Sequence, residues 1–206
     1  STQRSTLFPY TTLFRSISGS VNIAANNTGV QIAPFNICDT SSGVSIGFIS
    51  IVRKGLHKFV ISSDEIFYTN LGFHLGNDKF YNIFSVSYRP DDKIFWGYGY
   101  GFGHKFHLSK SVNCNLEIVT KNINFDVAYN PETFNFYRLS TIFEFRIKQK
   151  ISIYSGPSAN FYFGNKSINT ETYNYLSVQN YLPLKQNVTD KNISQLWLGF
   201  TIGFSL

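Results

Sequence analysis

The chain contains few charged residues, and this limits the classes of protein to which it can belong. Charged residues make up 15% of its 206 residues, against roughly 25% in an average soluble domain. Aromatic residues reach 17%, with 21 Phe and 13 Tyr. A surface built from such residues is difficult to keep in water, whereas a lipid-facing band is made of them. The composition therefore favours a membrane β-protein.

Long apolar runs and basic runs are missing as well. No stretch approaches the roughly 18 continuous apolar residues of a membrane-spanning helix, so none is predicted. The net charge of +6 is carried by Lys and Arg residues that are scattered along the chain and form no basic run. Without a basic patch or an RNA-binding aromatic motif, nucleic acid is not an expected partner.

Cysteine is scarce, and its spacing predicts neither a metal site nor a cofactor. Cys38 and Cys114 are the only two, and neither belongs to a CxxC or Cys/His ligand spacing. Their pairing in an oxidising compartment stays open, because spacing alone cannot place two thiols within bonding distance.

The first sixteen residues differ from the rest. Residues 4–16, RSTLFPYTTLFRS, resemble a translated sequencing adapter, so we exclude 1–16 from fold reasoning as a non-native segment. The sequence has neither an initiator Met nor a signal peptide, which an exported barrel would carry. We therefore expect native sequence to be missing upstream.

Residues 17–52 contain a 14-residue repeat. Asn22-Ile23 recurs as Asn36-Ile37 and, weakened, as Ser50-Ile51. The pattern Gly-Val-x-Ile at residues 29–32 recurs at residues 43–46. A period this short fits one strand and one turn, with Gly or Asn in the turn.

From residue 65 onwards the sequence alternates with period two, which is typical of strands with unlike faces. In 94–103, four aromatics alternate with four glycines, which would leave room inside a narrow barrel. In 196–206, six apolar residues alternate with Trp, Gly, Thr and Ser. Further strands are predicted at 57–63, 65–75, 79–89, 111–120, 138–148 and 151–163.

These strands predict an all-β fold, an antiparallel up-and-down barrel of the outer-membrane type. The region 53–206 supplies eight strands, and the repeats at 29–37 and 43–51 could raise the number to ten, in a barrel truncated at its N-terminus. If the C-terminus is periplasmic, the two long connections, 121–137 and 164–194, both fall outside the cell, as the membrane class requires.

The segments 42–55, 65–71 and 80–84 resemble Bacteroidota surface proteins that carry short Gly-Val-x-Ile-Gly repeats before a β-rich, barrel-like C-terminal region. The resemblance covers residues 18–206. It implies an outer-membrane location and no catalytic residue.

The C-terminus resembles the signal by which barrel-assembly machinery selects its clients. Phe200 and Phe204 match the alternating apolar pattern, and Leu206 stands where an aromatic usually ends it. Expected partners are therefore outer-membrane lipid and this machinery, with an extracellular ligand that the sequence leaves unknown.

Residues expected in the lumen are His74, Glu117, Glu144 and Arg146. The charged residues there could line a pore or form a plug of paired charges, and we favour the plug. A lipid hydrolase would need a serine oriented by a base. Its candidates are His74, His104 and His107 with Ser85, Ser87 or Ser109 and Glu117 or Glu144, but interior polar residues are ordinary in a barrel, so catalysis is not predicted.

Two acidic pairs, Asp64-Glu65 and Asp91-Asp92, resemble calcium ligands, but neither has EF-hand spacing, and turn acids explain them. Tyr173, Tyr175 and Tyr181 in 164–194 could form a binding surface. The leading hypothesis is an outer-membrane barrel with a structural, adhesive or small-solute transport role. The alternatives are a soluble lipocalin-like barrel around an apolar ligand and a lipid-modifying outer-membrane hydrolase.

Overall fold

The computed structural model describes residues 12–77, 79–90, 94–125, 134–148, 151–165, 184–189 and 192–206. Regular structure in these ranges is entirely β, and none of it is a helix able to cross a membrane. The strands are β1 Thr12–Ile17, β2 Val21–Ile32, β3 Phe35–Ser41, β4 Val44–Ile46, β5 Ile49–Val52, β6 Leu56–Asp64, β7 Thr69–Gly76, β8 Phe80–Pro90, β9 Ile94–His107, β10 Val112–Phe125, β11 Phe134–Arg146, β12 Ser152–Asn165, β13 Lys185–Val188 and β14 Asn192–Ser205.

Eight strands close into an antiparallel barrel. Their order is β12-β11-β10-β9-β8-β7-β6-β14, and pairing of β12 with β14 completes the ring. Closure gives every strand of the ring two neighbours. The predicted all-β, antiparallel up-and-down barrel is confirmed, with eight strands.

The connections differ in length between the two ends of the barrel. Residues 77–79, 108–111 and 147–151 join strands at the end that we call the short-turn end. At the opposite end, which we call the long-loop end, residues 65–68 and 91–93 join strands, and the two longest stretches between barrel strands, 126–133 and 166–191 with β13, begin and end there as well. The C-terminus lies at the short-turn end, where Leu206 N donates to Phe59 O at 2.8 Å. The predicted division into short and long connections is thus found.

The strand faces alternate as their sequences predict. In β14, the outward residues Leu198, Phe200, Ile202 and Phe204 are exposed, whereas Trp197, Thr201 and Ser205 are buried. In β9, the glycines share the inward face with the buried Phe95 and Lys105. The four aromatic residues that alternate with the glycines point outwards: Trp96, Tyr98, Tyr100 and Phe102.

One stretch of the predicted alternation is wrong. Alternation through the predicted strand 65–75 puts Tyr68 on the inward face with His74 and puts Phe67 on the outward face, but Phe67 is fully buried and Tyr68 is exposed. The reason is that β7 begins at Thr69, so both residues belong to the turn after β6. Asp64 Oδ1 accepts the backbone N–H groups of Ile66 at 2.9 Å and Phe67 at 2.7 Å, which folds this turn inwards.

The chain divides into two compact units, one of Ser1–His57 with His74–Asn82 and one of Lys58–Phe73 with Ile83–Leu206. In the first, which we call the repeat unit, β1, β2, β3 and β5 form a parallel sheet, and β4 pairs with β2. The partners Asn22↔Asn36 and Asn36↔Ser50 are each 14 residues apart. Each repeat is therefore one rung of a parallel stack.

This arrangement corrects the strand count, because the repeats at 29–37 and 43–51 do not supply barrel strands. They pair in parallel with the preceding repeat, whereas the barrel is antiparallel. Strand β1 extends the stack at its start and includes residues 12–16 of the adapter-like segment.

Polar ladders fill the inside of the stack. Asn22 Nδ2 donates to Asn36 Oδ1 at 3.2 Å, and Asn36 Nδ2 donates to Ser50 Oγ at 3.5 Å. Within each rung the same asparagine also reaches across the interior: Asn22 to Ile32 O at 3.2 Å and Asn36 to Ile46 O at 2.9 Å. Amide ladders of this kind stabilise stacked parallel strands.

The repeat glycines are explained by close approach between rungs. A Cβ at Gly43 would fall on the carbonyl oxygen of Gly29, and one at Gly47 on that of Ala33. Both neighbours lie 14 residues earlier in the chain, so the rung spacing itself excludes a side chain at these positions.

Candidate functional site

The barrel interior is lined by charged and amide side chains, which makes it the candidate site. Gly99 shows how the wall accommodates them: a Cβ there would lie 2.7 Å from both Lys121 Cγ and Ser85 Oγ. Buried polar residues in the barrel unit include Lys58, Asp64, Asn70, Ser87, Arg89, Lys105, Asn113, Asn115, Glu117, Lys121, Arg138, Ser140, Glu144, Ser158, Asn160, Thr201 and Ser205.

An ion-paired group, the Asp64–Arg138 network, occupies the middle of the interior. Arg138 Nη1 contacts Asp64 Oδ2, its Nη2 donates to Glu65 Oε1 at 3.0 Å, and its Nε donates to Asn160 Oδ1 at 2.8 Å. Lys121 Nζ lies 3.9 Å from Asp64 Oδ2. The guanidinium thus meets two carboxylates and an amide in a buried setting, which compensates its desolvation.

Lys121 joins this network to β7 and β8. Its Nζ donates to Asn70 Oδ1 at 2.7 Å and to Ser87 Oγ at 2.9 Å, and Asn70 Nδ2 donates to Asp64 Oδ2 at 3.0 Å. The network therefore cross-links strands from several sides of the ring.

Glu65 lies where the wall is incomplete. Along β14, strand β6 pairs with residues 201–205 and β13 pairs with residues 193–196, and neither strand pairs with the residues between them. Between them, the backbone N–H of Phe200 donates to Glu65 Oε2 at 3.1 Å. Trp197 Nε1 and Asn160 Nδ2 donate to Glu65 Oε1 at 3.2 and 2.7 Å. This carboxylate takes the place of a neighbouring strand along that part of β14.

An apolar cluster, which we call the aromatic plug, lies towards the long-loop end. The inward-folded turn supplies Ile66 and Phe67, and Phe67 stacks on Phe95 with ring centroids 5.1 Å apart. The other members project from the inner faces of β9 to β12 and of β14, and the whole cluster is buried: Ile66, Phe67, Phe95, Ile123, Phe136, Tyr162, Ile193 and Trp197.

A second ion-paired group, the Lys58–Glu144 network, lies towards the short-turn end. Lys58 Nζ donates to Glu144 Oε2 at 2.6 Å, and both side chains are buried. Asn115 Nδ2 donates to the same oxygen at 3.3 Å, and Ser205 Oγ donates to Glu144 Oε1 at 3.2 Å. Between the two networks, the Tyr154 hydroxyl donates to Glu117 Oε2. The interior is thus a series of hydrogen-bonded polar layers beneath an apolar one.

The residues expected in the lumen are placed as follows. Glu117 and Glu144 are buried and pair as just described. His74 is buried in the repeat unit and stacks on Tyr81, with ring centroids 5.1 Å apart. Arg146 is exposed, because β11 ends at this residue, so the expectation that it lies enclosed in the lumen is corrected.

Among the candidate hydrolase serines, Ser87 and Ser109 make structural hydrogen bonds, whereas the buried Ser85 Oγ has no hydrogen-bond partner within the described residues. Ser87 is bound by Asn70 and Lys121. Ser109 Oγ accepts the backbone N–H groups of Ser111 and Val112 in a turn. His104 packs edge-on against Phe106 with ring centroids 4.5 Å apart, and His107 ends β9.

Within the ranges that the structure describes, no cluster of three or more His, Cys, Asp or Glu could hold a metal. Asp64 and Glu65 serve the turn and the network. Asp91, Asp92, Tyr173, Tyr175 and Tyr181 lie outside the described residues, as does most of 164–194. Cys38 and Cys114 are both free thiols.

The central residues Asp64, Glu65 and Arg138 were not identified as an interior group from the sequence. Arg138 stands at the inward position of β11, which alternation could have indicated. The sequence pattern gives no sign that the turn at 64–68 folds into the barrel, because that depends on Asp64 accepting backbone N–H groups.

The residues of the predicted assembly signal lie on the outer face of β14 and just beyond it, where Phe200, Phe204 and Leu206 are all exposed. Comparison of the chain with models of protein families, with curated proteins and with solved structures finds no match.

Proposed function

We propose that this chain is a bacterial outer-membrane β-barrel surface protein with a structural or adhesive role. The observation that carries the proposal is the reversed polarity of the barrel. At the outward positions of its eight strands, within the described ranges, there is no Asp, Glu, Lys or Arg. Leu198, at 67% exposed, is one of many bare apolar side chains there. Such a surface fits acyl chains and not water.

The heights of the outward residues support the same proposal. The register brings Tyr137 opposite Phe161 near the long-loop end and Phe145 opposite Ile153 near the other. Between these levels, Ile118 pairs with Leu139, and both are exposed. Phe102 of β9 pairs with Ile118 at the intermediate height, so aromatic and aliphatic side chains together cover the outward face at all of these levels, which suits a lipid-facing surface.

The filled interior favours a structural or adhesive role over small-solute transport. Conduction requires a path lined by groups that bind weakly enough to release the solute. The side chains of the aromatic plug and of the two ion-paired networks instead contact other side chains of the same group across the lumen. Under this proposal, the barrel anchors the chain in the membrane and holds the connections at its long-loop end outside the cell.

The polarity of the interior counts against a lipocalin-like carrier, because an apolar ligand needs an apolar cavity. In this barrel the middle of the interior holds Asp64, Lys121 and Arg138, all buried. The proposal also contains no catalytic step. Lipid modification that is present with the unchanged chain and lost in the His74→Ala variant would contradict that part of it.

The test is the solution behaviour of the purified chain. We expect it to require detergent, to give a β-type circular dichroism spectrum, and to migrate faster on electrophoresis without boiling than after boiling. Expressed behind a bacterial signal peptide, it should fractionate with the outer membrane and depend on the barrel-assembly machinery. A monodisperse monomer in buffer without detergent would contradict the proposal.

A further inference from the structure

The repeat unit has the same reversed polarity as the barrel, with polar side chains inside and apolar side chains on its outer surface. Two limbs form each rung: residues 21–24, 35–38 and 49–52 make one limb, and residues 30–32 and 44–46 make the other. Asn36 Nδ2 crosses from the first limb to Ile46 O of the second at 2.9 Å. The limbs therefore face each other across the polar ladders, and their outer side chains point in opposite directions.

Both outer faces are apolar. On the first limb, Val21, Ile23 and Phe35 are exposed. On the second, Val30, Ile32 and Ile46 are exposed. Strand β1 adds Ile17 beside Ile32 and, from the adapter-like segment, the exposed Arg15 beside Val30. A protein partner that covered one limb would leave the other in water, whereas a surrounding apolar medium covers both.

Charge is excluded from almost the whole repeat. Between Arg15 and Arg53 the only charged residue is Asp39. It forms an ion pair with Arg53 at 3.2 Å, on the side of the rung where residues 39–42 connect the limbs, and both side chains are largely exposed. On the opposite side of the rung, Phe48 is 65% exposed. The last rung is thus amphipathic, with a polar corner opposite an apolar edge at Phe48.

The last rung is not an open strand edge. The Ser50 N–H donates to Asn82 Oδ1 at 3.0 Å, and Asn82 Nδ2 donates to Gly47 O at 3.0 Å. Asn77 Nδ2 likewise donates to Ser41 Oγ at 3.2 Å. These side chains satisfy backbone and hydroxyl groups that an apolar medium would leave without hydrogen bonds.

We infer that the repeat unit inserts into the acyl-chain region of a lipid leaflet, with both limbs in contact with lipid, Phe48 deepest, and the corner of Asp39, Arg53 and Lys54 at the headgroups. Surface-seeking amphipathic elements divide their faces in this way. The occupant of both apolar faces is lipid, and a second protein copy is the alternative that the experiment separates.

The test uses single-cysteine variants labelled with an environment-sensitive fluorophore in a Cys38→Ala, Cys114→Ser background, in phosphatidylcholine vesicles. Probes at Ile23 and Ile32 report the two limbs, Phe48 the apolar edge and Ser42 the polar corner. With nitroxides attached to the lipid acyl chains, we expect blue-shifted emission and loss of fluorescence at Ile23, Ile32 and Phe48. Ser42 should instead be quenched by a water-soluble nickel chelate.

A fourth lipid-facing probe, at Leu198, serves as the reference for the barrel, and heat-modifiable migration checks that each variant is folded. Val30 and Phe35 replace any limb position whose labelling prevents folding. Quenching at Leu198 without quenching at either limb would overturn this inference and leave the proposed function standing. Quenching at one limb only, with the other protected from both quenchers, would indicate a protein partner and also overturn it. Loss of quenching at Leu198 would contradict the proposed function itself.

Discussion

The barrel and the repeat unit solve one problem in two ways. Each presents apolar side chains outwards and must therefore satisfy its polar groups inside. The barrel does so with long-range ion pairs, such as Lys58 with Glu144, which are 86 residues apart. The repeat unit does so with neighbours 14 residues apart, such as Asn22 with Asn36. The barrel is thus a closed ring whose interior is cross-linked by ion pairs, whereas the repeat unit is a stack of strands whose interior is cross-linked by hydrogen bonds between amide side chains.

This difference predicts how each region responds to damage. A buried charge left without its partner is costly, whereas a buried amide that loses a neutral partner costs less. Long-range contacts also close a large loop of chain, so we expect the barrel to unfold cooperatively as one unit. A defect in the stack should stay close to the rung that carries it.

The largest effect is expected from Arg138→Met in the barrel. It leaves the buried Asp64 and the half-buried Glu65 without their guanidinium, which should lower the free energy of unfolding by about 3–5 kcal/mol. Urea unfolding in lipid, followed by heat-modifiable migration, measures this. Arg146→Met in the same strand is the matched control, because Arg146 is exposed, and it should change stability by less than about 0.5 kcal/mol. Equal effects of the two variants would contradict the Asp64–Arg138 network.

A smaller and local effect is expected from Gly43→Ala in the repeat unit. The new methyl group would overlap the Gly29 carbonyl, and overpacking of this kind costs about 1–3 kcal/mol. Gly19→Ala is the control, because open space surrounds that position. Amide hydrogen exchange should become faster at Ile23 and Ile37 in Gly43→Ala and stay unchanged along β11. Faster exchange throughout the barrel would remove the contrast between the two regions.

The smallest expected difference between the two regions is in the labelling of their cysteines. Burial, reinforced by the neighbouring Asp39 carboxylate, raises the pKa of Cys38, whereas Cys114 lies on the outward face of β10 between Phe106 and Phe143. A water-soluble maleimide should therefore spare Cys38 at pH 8, and a lipid-soluble one should reach Cys114. Rapid labelling of Cys38 in the folded chain would contradict the closed interior of the stack.

The raised pKa of Cys38 also predicts how the stability of the repeat unit depends on pH. Folding keeps the proton on this thiol, so the unfolded chain ionises at lower pH than the folded one. The repeat unit should therefore lose stability as pH rises above the ordinary thiol pKa, and Cys38→Ala should remove that dependence. A pH dependence that persists in Cys38→Ala would assign it to another group.

Much of the barrel could be predicted from the sequence, because alternation is local. The faces of β9 and β14 follow from period two, and the filling of a narrow lumen by charge follows from inward Glu117 and Glu144. The role of the repeat could not be predicted in this way. A 14-residue period fits an antiparallel hairpin as well as a parallel rung, and only the register of Asn22 with Asn36 separates them. The inward fold of the turn at 64–68 depends on hydrogen bonds that alternation does not encode, and so Phe67 and Tyr68 were assigned to the wrong faces.

The most direct test of the reversed polarity uses the two native tryptophans. Trp96 points outwards and Trp197 is buried inside the barrel. In vesicles that contain acyl-chain nitroxides, the Trp197→Phe variant, which keeps Trp96, should lose most of its fluorescence. The Trp96→Phe variant, which keeps Trp197, should retain most of its own. Strong quenching of Trp197 with Trp96 unaffected, or quenching of neither, would contradict the account of an inside-out barrel in a membrane.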